Sequence, residues 1–219
     1  MAVQKSNSEA AVLERSQTAL VNAENQPDIA ALLAEFGYDT NVIADGKTFL
    51  SEAREASDLN QTETNEESQA YMLFAALKNE LEKDYALQRK KAKVVFRKDP
   101  LMLAMFGMDG EVSRVYVAWL EGIRKYGKAA LGDDNLVTQL GRLNLTKELI
   151  EATLQKCDRL EVLRAAYLKE KGESQHATIT KDKAFRDLDD WMRDFYAVAR
   201  IALEDSPQLL ESLSIVVKN

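Results

Sequence analysis

Between Lys47 and Asp99 the chain carries neither glycine nor proline. A run of that length without a helix breaker is the feature that most limits what this polypeptide can become. Glycine and proline are scarce throughout, 9 and 3 in 219 residues, against usual shares of roughly 7% and 5%. In a chain rich in Ala, Leu, Glu and Lys, so few breakers mean long helices. Within and just before the run, apolar residues recur at three- and four-residue steps: Ile43, Phe49, Leu50, Ala53, Ala56, then Tyr71, Phe74, Leu81, Tyr85, Ala92 and Val95. The stripe lapses over 60–67, NQTETNEE, which is polar throughout. Either one helix of about 60 residues, roughly 90 Å long, runs through, or it breaks there into two. The polar segment is the weakest part, because helices in water draw most of their stability from a packed apolar face.

The flanks read as start and stop signals. Ser6-Asn7-Ser8-Glu9 has the spacing of a capping box, in which hydroxyl and carboxylate satisfy each other's backbone amides. A first helix then reaches about Glu24, with Val12, Leu13, Ala19 and Leu20 as its stripe, until Pro27 opens a short second helix. Gly37 suits the left-handed residue after that helix. Asp39 is the expected N-cap of the long helix, and Tyr38 with Ile43 takes the positions of a hydrophobic staple. Asp99-Pro100 ends the long helix, and Leu101 to Phe106 forms one or two turns closed by Gly107.

The same grammar returns 107 residues later, the separation of Pro100 from Pro207. Asp39 meets Thr146, Tyr38 and Ile43 meet Leu145 and Ile150, and Ile29, Leu33 and Phe36 meet Leu136, Leu140 and Leu143. Ala92, Leu103, Phe106 and Met108 meet Ala199, Leu210, Leu213 and Ile215. Exact identity is low, so the competing reading is that amphipathic helices of similar length align by accident. The expected fold is therefore all-α: an elongated helical bundle of two tandem pseudo-repeats, 1–109 and 110–219, packed as one continuous bundle because neither long helix can bury its stripe alone. Gly172 falls opposite Asn65, which predicts a kink or break shared by both long helices.

Charge and cysteine usage narrow the function classes. A formal net charge of −7 opposes generic nucleic-acid or anionic-membrane binding. The single cysteine, Cys157, permits no internal disulfide and fits a reducing compartment. The N-terminus has no apolar leader segment, and no apolar run approaches the roughly 20 residues of a membrane span. These features point to a cytoplasmic protein with no membrane partner.

Few constellations carry chemistry. His176, the only histidine, closes Glu173-Ser174-Gln175-His176, an i, i+3 arrangement of the kind that supplies ligands in carboxylate-bridged bundles. Its counterpart 107 residues earlier is Glu66-Glu67-Ser68-Gln69, which lacks the second imidazole. Glu66, Glu173 and His176 are thus the candidate metal ligands, but no metal or cofactor is expected, since the segment is polar on all sides. Cys157 lies among Leu154, Leu160 and Leu163 with no basic partner in sequence, so it reads as an inert core thiol. There is no Gly-x-Ser-x-Gly, no phosphate-binding glycine loop and no second histidine for a triad, and no catalytic residue is assigned. Asp133-Asp134 reads as capping. Arg89, Lys90, Lys91, Lys93, Arg97 and Lys98 crowd one helix end as a possible anion or partner contact, against the reading of a solvated face favoured by the helix dipole. The matching end of the second long helix is acidic: Asp187, Asp189, Asp190, Asp194, Glu204 and Asp205. Aromatic residues such as Tyr116, Trp119, Phe185, Trp191 and Phe195 make helix stripes suited to core packing. The tail, Leu209 to Val217, is apolar enough to need a docking surface.

The closing pattern ARIALEDSPQLLESLSIVV, the preceding DDWMRDF and the Phe36-Gly37-Tyr38-Asp39 start resemble a loosely defined group of uncharacterised bacterial all-helical proteins, although Ser214 stands where that pattern has glycine. The resemblance implies an all-helical fold and a bacterial source, and brings no activity or catalytic residue. The leading expectation is a non-enzymatic interaction or scaffold protein that binds itself or another protein. A ferritin-like metal-binding bundle is the alternative, and anion or nucleic-acid binding through 89–98 a second.

Overall fold

The computed structural model describes residues 8–216. Eight helices and no strand occur among them: α1 (Glu9–Asn25), α2 (Pro27–Glu35), α3 (Thr40–Val95), α4 (Pro100–Met105), α5 (Tyr116–Leu131), α6 (Asp134–Gly141), α7 (Lys147–Ala202) and α8 (Gln208–Ser212). The expected all-α class is what forms. Ser6 lies outside the described residues. α1 is capped instead by Ser8, whose hydroxyl accepts from the Ala11 amide at 3.3 Å.

The expected break in the long helices does not occur. α3 and α7 are each 56 residues of uninterrupted helix, through the polar stretch of α3 and through Gly172 of α7. Local bonds support the polar stretch without a packed stripe. Gln61 Nε2 donates to Asn65 Oδ1 at 3.2 Å, and the hydroxyls of Thr62 and Thr64 bond the carbonyls of Asp58 and Asn60 one turn back. No residue there lacks an amide, so the loss of apolar contact lowers local stability without ending the helix.

The polar stretch still has a structural consequence, because the chain divides there into two compact units. Unit 1 takes its residues from Met1–Asn65 and Gly172–Asn219, and unit 2 is Glu66–Lys171. Each unit draws on both halves of the sequence. In unit 1, α1 lies against α2 and α8. Its core joins Leu20, Ile29, Leu33, Ile43 and Leu50 from the first half to Leu188, Met192, Phe195, Leu203 and Leu213 from the second. In unit 2, Leu81, Tyr85, Phe96 and Phe106 join Ile123, Tyr126, Leu140, Leu145, Ile150 and Leu160.

Four helices end on the same device. After α2 the Tyr38 amide donates to the Leu33 carbonyl and the Gly37 amide to Ala34, with Gly37 at φ +86°. Equivalent paired bonds close α4 at Gly107 (φ +66°), α6 at Asn144 (φ +57°) and α8 at Ser214 (φ +60°). This Schellman geometry needs one left-handed residue, cheap for Gly, tolerable for Asn and strained for Ser. At the other ends, Asp39 accepts from the Asn41 and Val42 amides at 2.9 and 3.0 Å, and Thr146 from Leu149 at 3.3 Å. The staple residues Ile43, Leu145 and Ile150 are buried, and Tyr38 is half-buried.

One glycine inside a helix has a packing reason. Gly46, in α3, faces the Trp191 indole so closely that a β-carbon there would overlap the ring. Trp191 stacks on Phe195 with centroids 5.5 Å apart and meets Tyr38 edge-on at 5.9 Å, so the ring has little room to move. Gly46→Ala improves helix propensity by about 1 kcal/mol, yet overpacking of ~1–3 kcal/mol outweighs it. The expected result is a lower urea midpoint for this variant. The opposite sign is expected for Ser214→Gly, which relieves left-handed strain of ~1 kcal/mol and raises the melting temperature by about 2–4 °C.

Candidate functional site

The basic run is split by the helix that carries it. Tyr85, Gln88, Arg89 and Ala92 share the buried face of α3, and Phe96 is buried just past its end, whereas Lys90 and Lys93 are exposed and Lys91 is half-buried. Arg89 is therefore not a surface cation. Its guanidinium donates to the carbonyls of Gly107 and Met108, each at 3.2 Å, and to that of Gly110. Beside it, Lys125 Nζ donates to the Ala104 carbonyl at 3.2 Å. Arg89 thus satisfies carbonyls of the turn that follows α4, and Lys125 adds a second donor to the Ala104 carbonyl, which already accepts from the Gly107 amide. The buried Gln88 Nε2 donates to Thr153 Oγ1 at 2.6 Å, and it too belongs to the core.

Arg97 and Lys98 emerge just past the end of α3, where burial of Phe96 turns the chain. They line a groove of about 490 Å³ together with Val94, Val95, Arg142 and Leu143. Arg142 belongs to the turn that closes α6 and is exposed. Its role is not evident from the basic run, 45 residues away from Arg97. The one signal available in the sequence is its place beside Leu143, the counterpart of Phe36. Arg97, Lys98 and Arg142 make no ion pair or side-chain hydrogen bond with another described residue, and no negative group among the described residues lines the groove. Three cations around an apolar floor form a surface suited to an anionic partner.

Much of the remaining surface charge is neutralised locally. In unit 2, Arg124 forms a two-bond contact with Glu161 (3.0 and 2.7 Å) and a further bond to Asp158 at 2.8 Å. The guanidinium holds the Glu161 carboxyl below its usual range. In unit 1, Arg193 pairs with Asp189 and Asp190, and Lys183 with Asp187. Half of the acidic set at that helix end is therefore already partnered. Asp194 is exposed.

The candidate metal ligands are not drawn into a core. Glu173 and His176 lie on the exposed side of α7, while Ser174 and Ala177 occupy its buried side. Glu66 is exposed and belongs to unit 2, whereas the other two belong to unit 1. Cys157 is fully buried, and burial pushes its thiol up to about 11, so at neutral pH it stays protonated and unreactive. Tyr126 is likewise sealed between Phe106 and Tyr85, at centroid distances of 5.6 and 6.1 Å; burial raises its phenol. Among the described residues, no helix is long and apolar enough to cross a membrane.

Comparison with protein-family models, curated proteins and solved structures returned no match. The division of the basic run predicts different outcomes for its members. Arg89→Met leaves several carbonyls without their charged donor and is expected to cost about 2–3 kcal/mol in urea unfolding. Arg97→Met is expected to stay within ~0.5 kcal/mol of the parent. Equal losses in the two variants would contradict the buried-donor role of Arg89.

Proposed function

We propose that this chain is a non-enzymatic helical interaction or scaffold protein whose contacts are made by protein surfaces of one or both units. The observation that carries this reading is the pairing of exposed apolar side chains with unneutralised charge at a helix end. Val94 is 59% exposed beside Arg97 and Lys98. Tyr71, Met72 and Leu73 on α3 are each more than half exposed. Large apolar side chains rimmed by charge are what association surfaces present.

The same reading includes descent of the two halves from one duplicated helical unit. Helix boundaries support it. α1, α2 and α3 begin at 9, 27 and 40, and α5, α6 and α7 at 116, 134 and 147, a constant separation of 107 residues. The left-handed closing residues Gly37 and Gly107 lie 107 before Asn144 and Ser214. Buried core positions follow the same interval, with Ile43, Leu50, Leu81 and Ala92 preceding Ile150, Cys157, Leu188 and Ala199. The starts of α4 and α8, at 100 and 208, depart from the interval by one residue; accidental alignment of amphipathic helices would preserve stripe period but has no reason to preserve the other three starts and both pairs of left-handed residues.

Cross-linking of the protein in its native cells, read by mass spectrometry, tests the interaction reading. The expected outcome is reproducible cross-links from exposed lysines such as Lys90 and Lys93 to one defined protein, either another copy or a different chain. Purified protein carrying stoichiometric iron, manganese or zinc, with no reproducible cross-link, would overturn it in favour of a metal-dependent protein.

A further inference from the structure

The residues that line the groove at the end of α3 have sequence counterparts of opposite sign. Positions 97, 98 and 142 carry Arg, Lys and Arg; the positions 107 residues away, 204, 205 and 35, carry Glu, Asp and Glu. The apolar positions keep their character. Val94 corresponds to Ile201 and Leu143 to Phe36, and Ile201 and Phe36 are 58% and 48% exposed. Glu35, Glu204 and Asp205 are exposed and, like the three cations, make no ion pair with another described residue.

Helix electrostatics account for one corner and not the other. Arg97 and Lys98 follow the end of α3 and Arg142 the end of α6, where the carbonyl end of the dipole favours positive charge. Glu35 is the last residue of α2, and Glu204 and Asp205 follow α7. There the dipole disfavours negative charge by ~0.3–1 kcal/mol each. Unlike Asp189 and Asp190 beside Arg193, these carboxylates gain no local partner in return. Three anions at helix C-termini, next in sequence to the exposed Phe36 and close in sequence to the exposed Ile201, need a reason outside the fold of the unit.

We propose that the basic corner of one copy of this chain docks on the acidic corner of a second copy. Arg97, Lys98 and Arg142 then face Glu35, Glu204 and Asp205, while the exposed apolar side chains at the two centres are removed from water. This names the partner within the interaction reading above and rests on that reading, including the positional equivalence of the two halves. Because each copy contributes two different surfaces, the contact is heterologous. Every open assembly keeps one free corner of each sign and grows by addition unless the rotation closes a ring. Charge of opposite sign on the two faces also speeds encounter and makes association weaken as salt screens it.

Sedimentation velocity on the full chain, across a concentration series at low and high salt, tests this with two charge-reversed variants. One carries Arg97→Glu, Lys98→Glu and Arg142→Glu, and the other Glu35→Lys, Glu204→Lys and Asp205→Lys. At low salt the parent is expected to exceed its monomer mass of 24.6 kDa increasingly with concentration, and to return to it at high salt. Each variant alone is expected to associate at least about tenfold more weakly, because like charges meet, and an equimolar mixture of the two is expected to regain association. Thermal melts establish that each variant is folded; should a triple variant fail to fold, Arg142→Gln and Glu35→Gln serve in its place, each expected to weaken association of the parent. A parent that stays monomeric at low salt, variants that associate like the parent, or a mixture that does not recover would each overturn the proposal. The broader interaction reading fails separately, on the absence of any cross-linked protein. A monomeric parent that cross-links to a different protein would remove this inference and leave that reading standing.

Discussion

Everything in this fold depends on burying two long apolar stripes that no local structure can cover. α3 and α7 each carry their apolar residues in two blocks on either side of a polar stretch, and each block shares its core with helices from both halves of the chain. In unit 1, Leu20 and Ile43 share a core with Leu188 and Leu213; in unit 2, Leu81 and Phe106 share one with Tyr126 and Ile150. The cost is chain entropy, since the unit 1 contacts close loops of well over one hundred residues. That cost grows only logarithmically with loop length, and each buried side chain of this size returns roughly 1.5–3 kcal/mol. Long-range closure is therefore affordable, but it ties the stability of each unit to both halves at once.

The helix ends are where this architecture meets the proposed contact surface. Each short terminal helix leaves carbonyls that need donors. After α8 the Asn22 side chain reaches the Ser212 carbonyl at 2.7 Å; after α4 the charged Arg89 does equivalent work. A neutral solution in unit 1 and a cationic one in unit 2 show that the same backbone problem tolerates different chemistry. Once Arg89 is withdrawn into the interior, the surface charge at the end of α3 is defined by Arg97 and Lys98, completed by Arg142 from another helix end. The long helix thus positions the groove by ending where Phe96 turns inward, and the Schellman turn after α6 supplies its other wall.

Much of the local structure was legible in the residues. Asp39, Thr146, Gly37 and Gly107 act through bonds to their own neighbours, so their roles follow from sequence spacing and residue chemistry. Ser214 was legible only as a departure from the glycine of the closing pattern that the chain resembles. The continuity of α3 through 60–67 was not, because a lapse in the stripe marks low stability rather than a stop, and nothing in those residues removes a backbone donor. Arg89 could have been separated from its neighbours, since it falls on the face of Tyr85 and Ala92, but its charge invited a surface reading. Which block of stripe packs on which helix was beyond sequence, because every stripe here has similar period and composition. Arg142 was missed for the same reason: only the folded unit brings residue 142 beside residue 97.

Dividing the chain between its halves tests the central dependence most directly. Residues 1–109 and 110–219 can be expressed as separate chains and their thermal unfolding followed by circular dichroism, alone and mixed, with mass measured in parallel. If each unit requires helices from both halves, neither fragment will unfold cooperatively as a monomer, and mixing will restore a single heterodimeric species with a sharp transition. A monomeric 1–109 fragment that melts cooperatively on its own would contradict it.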